Sequence, residues 1–172
     1  MDYSELRNMP DPGSDYEEGG DREPLTTLGE GRMVRVVAFA VRVSRGSSES
    51  CNCGLTRMRD KDNHIVLVNP RDRSPSLADE HRSQTAEFTP RVRLDHPKLK
   101  FSELNNKIQA ASRQALKVRV TGLPMFDSFH FFNNPLPRSN NWEIHPVFAL
   151  EFCPPRKRCV AGSDANWVDL EQ

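Results

Sequence analysis

The chain has 172 residues, 36% of them hydrophobic and 28% charged, a one-domain length more polar than an average globular domain. Its formal net charge is zero only by cancellation: residues 1–30 hold nine acids and two bases, a net of −7, and residues 31–172 carry the opposing +7. No apolar run approaches the roughly 18 residues of a membrane helix, and the acidic opening lacks the basic-then-apolar order of a secretory signal, so the expectation is a cytoplasmic protein with no membrane partner.

Residues 1–30 contain Pro10-Asp11-Pro12-Gly13, Gly19-Gly20 and scattered acids, with no periodicity and few large apolar groups. Such a segment buries too little surface to offset its ordering entropy, and a disordered acidic leader is expected, able to lie over and screen a basic face. Residues 33–43, β-branched and apolar with interspersed arginines, read as a first strand long enough to coil around a barrel. Residues 64–68 make a second strand, stopped by Asn69-Pro70, and residues 84–89 a third, with Pro90 near its end and Val92 extending it slightly. Residues 101–116 place Phe101, Leu104, Ile108, Ala111 and Leu116 near helical spacing, with Ser102 positioned to cap the start. Residues 117–123 and 142–152 alternate as strands four and five, and Leu123-Pro124 predicts a break or bulge after Gly122. The resulting order β-β-β-α-β-β is that of a mainly β, five-stranded OB-like Greek-key barrel with one helix, spanning residues 31–153, followed by a C-terminal tail over 154–172. An open α+β sheet is the competing arrangement.

Side chains alternate faces along a strand. In the fifth strand Trp142, Ile144, Phe148 and Leu150 are expected to face the core, and Glu143, His145 and Glu151 to look out together. A carboxylate so near an imidazole can orient it or raise its pKa. His64, Glu87, Asp127 and His130 are the polar residues that could converge with this pair. No short motif has metal-ligand spacing, so no metal ligands are assigned and no cofactor is expected, although a His and carboxylate set would admit a divalent cation. Arg91 and Arg93 after strand three, Arg35, Arg42, Lys117 and Arg119 on strands one and four, and Phe126, Phe129, Phe131 and Phe132 after strand four interleave charge with rings. A groove for single-stranded nucleic acid does the same. Cys51, Cys53, Cys153 and Cys159 lack zinc spacing and are expected to be free thiols. Trp167 is placed to dock on a surface groove.

Several phrases in order resemble a family of uncharacterised bacterial proteins over roughly residues 32–152: Glu49-Ser50-Cys51-Asn52-Cys53, Asp62-x-His64, Glu87-Phe88-Thr89-Pro90-Arg91-Val92-Arg93, His96-Pro97, Phe126-Asp127-x-x-His130 and Trp142-Glu143-Ile144-His145-Pro146-Val147. The resemblance implies that Glu87, Arg91, His96, Asp127, His130, Glu143 and His145 belong to one pattern, and it supplies no activity.

Two functional expectations follow. The first is an OB-like binding module for single-stranded nucleic acid, with Arg91, Arg93, His64, His96 and Phe126 contacting the ligand. The second is a metal-assisted hydrolase of phosphodiester or similar bonds, with His145 or His130 as base or ligand and Glu143, Glu87 and Asp127 as ligating or orienting carboxylates. A protein-interaction domain with a purely structural polar cluster is the third. Oligomeric state is left open.

Overall fold

The computed structural model describes residues 1–13, 16, 20–48, 52–69, 82–128 and 138–171. Five strands close on themselves: β1 (Val34–Arg45), β2 (Asn63–Val68), β3 (Gln84–Phe88), β4 (Leu116–Phe126) and β5 (Trp142–Phe152). The sheet order is β3-β2-β1-β4-β5, and a parallel β3–β5 pairing shuts the barrel. The OB-like arrangement read from the order of elements is the one observed.

The length of β1 makes closure possible. Its first half, Val34 to Ala40, pairs with β4, and its second half, Phe39 to Arg45, pairs with β2. The register shifts between Ala40 and Arg42. Such a bulge bends a strand and increases its twist, which lets one strand serve two sides of a barrel. Inside lie Val36, Ala38, Ile65, Leu67, Ala86, Phe88, Val118, Val120, Trp142 and Ile144, all fully buried.

Strand β4 runs through Pro124 with register shifts on both sides of Gly122, so the proline sits at the expected bulge. Gly122 is required there. A Cβ at this position would stand 2.5 Å from both the Ile144 Cγ2 and the Pro146 carbonyl oxygen. The carbonyl belongs to the backbone of the paired strand and cannot swing away. Gly122→Ala is therefore expected to destabilise by about 1–3 kcal/mol or more, measured as a lower urea midpoint at unchanged slope. The alternation expected for β5 holds from Trp142 to His145 and then changes phase: Val147 and Leu150 are buried, whereas Phe148 only borders the core. The step coincides with the β4 irregularity, where Gly122 pairs with Val147 and Thr121 with Ala149, leaving Phe148 between them.

Two helices join β3 to β4. The sequence reading missed α3 (Pro90–Asp95), taking its first residues as strand; Thr89 caps it by accepting from the Val92 N–H at 3.2 Å, with proline at the first helical position. The next, α4 (Phe101–Ala110), buries Leu104 and Ile108. It is shorter than expected. Lys100, not Ser102, occupies its N-cap, and Leu116 belongs to β4. A 3₁₀ turn at Ser112–Gln114, with Arg113 at φ 58° and Gln114 at φ 52°, turns the chain into that strand.

The expected disorder of the leader does not describe its ends. Tyr3–Arg7 forms a helix closed by a capping box between Asp2 and Glu5, and Glu23–Leu28 forms a second. Tyr3, Leu6, Met9 and Leu25 join the barrel core. The Tyr3 hydroxyl donates to the carbonyls of Leu67 at 3.0 Å and Arg82 at 2.8 Å, and the Trp142 indole donates to Pro10 O at 2.8 Å. Arg22 grips Glu30 through two hydrogen bonds of 2.8 and 2.7 Å, and Glu30 accepts from the Phe126 N–H at 2.9 Å. Few apolar residues are present, but nearly all are placed in the barrel, and composition cannot show that. Leu6 is fully buried, so Leu6→Ala is expected to cost about 2–5 kcal/mol, whereas a disordered leader would give no change in the denaturation midpoint.

The C-terminal segment is likewise a strap and not a free tail. Residues Val168–Asp169 form β6, paired with Phe152 and Glu151 of β5. Cys153 and Cys159 are disulfide-bonded, correcting the expectation of free thiols for this pair. Cys53 is an exposed free thiol, and Cys51 lies outside the described residues. No helix among the described residues is long and apolar enough to cross a membrane.

Candidate metal centre

The outer faces of β2, β3 and β5 carry an unusual load of buried charge. His64 and Glu87 are direct cross-strand partners in the antiparallel β2–β3 pair. In the parallel β3–β5 pair Thr85 lies beside Glu143 and Ala86 beside Ile144, which brings Glu87 beside His145 one step on. Ala86, Phe88 and Ile144 fill the interior, so the alternation of the strands sends Glu87 and His145 outward together. Asp62, immediately before β2, reaches the same place from the β1–β2 loop.

These groups converge. The Nε2 of His145 is 3.2 Å from Asp62 Oδ2 and 3.8 Å from Glu87 Oε2, and ligand atoms of all three lie within 4.8 Å of one another. Asp62 is fully buried, Glu87 is 4% exposed and His145 9%. The other oxygen of Asp62 accepts from the Asn52 amide at 2.9 Å, which fixes its plane. His64 Nε2 stands 3.3 Å from the other oxygen of Glu87, Oε1, and forms the more exposed edge of the group. Two donors on one cation, each about 2.1 Å from it in tetrahedral geometry, stand about 3.4 Å apart. The spacings around His145 Nε2 bracket that value. One imidazole and two carboxylates, with a second imidazole adjacent, suit a borderline first-row divalent cation such as zinc or manganese.

Glu143 takes another partner. Arg138, 8% exposed, donates to Glu143 at 2.9 Å and to Asp127 at 2.5 Å. Burial works against the Arg138 charge, but Glu143 and Asp127 outweigh it and hold the guanidinium above its ordinary pKa. Burial pushes the Glu143 carboxyl above its usual range even though Arg138 pulls it down. The expected Glu143–His145 pair is thus replaced by an arginine clamp that joins the β4–β5 loop to the start of β5.

The other sequence candidates are dispersed. Phe126 is 2% exposed, packed edge-to-face on Trp142 at 5.5 Å, and offers no face to a base. Arg93 donates to the carbonyls of Phe88, Arg59 and Lys61 at 2.7, 2.9 and 2.6 Å, tying α3 to the β1–β2 loop. Arg91 is exposed on α3. His96 is 3.0 Å from Glu171 in the C-terminal strap. His130, Phe129, Phe131 and Phe132 lie outside the described residues. Arg119 is buried, salt-bridged to Glu151 and Asp164, with its guanidinium 5.0 Å from the Trp167 ring centroid. Lys117 donates to Cys159 O at 2.5 Å. The C-terminal strap therefore covers the basic groups of β4 that sequence reading offered to a nucleic acid. Asp62 and Arg138 were missed as site residues, although the Asp62-x-His64 phrase was visible. Only tertiary pairing shows that Asp62 completes a triad.

Fold and site together define an OB-like β-barrel with a buried His/carboxylate centre on its strand 2–3 face, next to the β1–β2 and β4–β5 loops, where barrels of this type bind ligands. Compared with family models, with curated proteins and with solved structures, the chain matches none.

Proposed function

We propose that this barrel is a metal-assisted hydrolase of phosphoester bonds, with Asp62, Glu87 and His145 holding one divalent cation. The convergence of those three ligand atoms within 4.8 Å carries the reading. A cation there would polarise an ester oxygen and acidify a bound water. With that cation bound, His64 at the exposed edge would be placed to take the proton of the water as it attacks phosphorus, the ester P–O bond breaking and the leaving oxygen taking a proton from solvent. His64, hydrogen-bonding distance from Glu87, also orients that carboxylate, as groups behind metal ligands commonly do. Phosphorus is the favoured centre because the loop that delivers Asp62 carries Arg57, Arg59 and Lys61, with Arg93 docked on it.

Single-stranded nucleic acid as a partner has less behind it. The strand 2–3 face of the barrel and the exposed Arg91 favour it, but Phe126, Arg93 and Arg119 are engaged within the fold. The cytoplasmic placement also has a competing observation, since bridges like Cys153–Cys159 persist mainly in oxidising compartments.

The test is titration of metal-stripped protein with manganese and zinc, followed by turnover of bis(p-nitrophenyl) phosphate. One stoichiometric site and metal-dependent turnover are expected, both lost in Asp62→Asn. If the three groups are only an imidazolium held between two carboxylates, no cation binds and the reading fails.

A further inference from the structure

Beside the centre lies a cleft of about 360 Å³ walled by Arg45, Arg59, Arg93 and Lys100, with Asn63 and Phe101 among its other lining residues. Each cation comes from a different element: Arg45 ends β1, Arg59 lies in the 3₁₀ turn Met58–Asp60, Arg93 is on α3, and Lys100 is the N-cap of α4. No carboxylate lines the cleft among the described residues.

Four converging cations repel one another unless something answers their charge, and here the fold answers it incompletely. Arg93 spends its donors on three carbonyls, and both burial and Arg45 lower its pKa, while Asp62 supports it. Arg59 has Asp60 at 3.7 Å, an exposed contact of small worth. Arg45 lies over the Phe101 ring at 5.1 Å from its centroid, and Lys100 has no ion pair among the described residues. The ten-residue helix α4 begins at this wall without a side-chain cap, adding its positive end. Arg93, which lines the cleft, donates to the carbonyl of Lys61, the residue before Asp62, so the cleft adjoins the segment that delivers Asp62 to the centre.

We propose that this cleft seats the phosphate of a small phosphoester and is the substrate subsite of the centre, a role that rests on the reading above. A volume of this size suits a nucleotide-sized ligand. A strand of nucleic acid would instead need charge tracking along a groove with rings to stack on, and here the one ring at the wall is covered by Arg45.

The experiment is calorimetric titration of the full chain, in EDTA at about 50 mM salt, with pyrophosphate, thymidine 5′-monophosphate and an oligothymidylate. Saturable binding of the two small probes is expected. Arg45→Glu and Lys100→Glu change exposed side chains and should each weaken it by about tenfold or more, with melting temperature unchanged. Arg91→Glu should leave it intact. Glu87→Gln should also retain it, which separates failure of the cleft from failure of the metal centre. The proposal is overturned if neither small probe binds, if the two charge reversals bind as well as the parent, or if only the oligonucleotide binds. It is equally overturned if binding needs added cation and disappears in Glu87→Gln, because the phosphate then sits on the metal and not in the cleft.

Discussion

Glu87→Gln is expected to remove stoichiometric binding of a divalent cation and all metal-dependent phosphodiester turnover, while the barrel remains folded. Glu87 is the residue on which the site turns: one oxygen faces His145 at 3.8 Å and the other faces His64 at 3.3 Å. Glutamine keeps the shape and loses the charge, and a neutral amide is a poor ligand for a hard or borderline cation. The effect can be read as stability as well as activity. A ligand that binds only the native state at about a hundred times its Kd adds about 2.7 kcal/mol. Manganese at that excess should raise the parent's unfolding free energy by this amount and leave Glu87→Gln unmoved. Equal stabilisation of both proteins, or of neither, would remove Glu87 from any metal site.

Arg138→Met should be the most destabilising single substitution of a charged residue, at about 3–5 kcal/mol. The guanidinium side chain is 2% exposed and lies between carboxylates that are 4% and 11% exposed, Glu143 and Asp127. Removing it leaves two buried acids facing each other without a counter-charge. The pH dependence should change with it. Burial already raises the Glu143 pKa against the pull of Arg138, and without that pull the pKa rises further. An acid whose folded pKa lies above its unfolded value binds more protons when folded, so stability falls as pH rises through the folded pKa. The variant should therefore regain stability as pH falls from neutral toward the ordinary glutamate range, as followed by urea denaturation at each pH. A variant with parent-like stability at neutral pH would show that the clamp contributes nothing to the fold.

The barrel was legible because strand pattern is local. Alternation in residues 117–123, the β-branched run at 33–43 and the helical spacing of Leu104 and Ile108 each depend on near neighbours in sequence, and hydrophobic burial imposes them directly. Their order then left few ways to close a sheet. What failed to show was whatever depended on capping or on distant partners. Thr89-Pro90 starts a helix where an extended reading continued the strand, and the acidic composition of the leader concealed that Leu6 and Leu25 sit in the barrel core.

The sequence by itself determined that five strands, a long first one among them, and one main helix would form, and that Glu143 and His145 would face away from the core. Tertiary structure alone decided their company. The parallel β3–β5 register set Glu87 beside His145, the β1–β2 loop delivered Asp62, and Arg138 claimed Glu143. Residue type and spacing specify which face a side chain takes because that is fixed by backbone geometry over two residues. Which charges meet is fixed by closure of the barrel over separations such as the 83 residues between Asp62 and His145, and no local pattern encodes it.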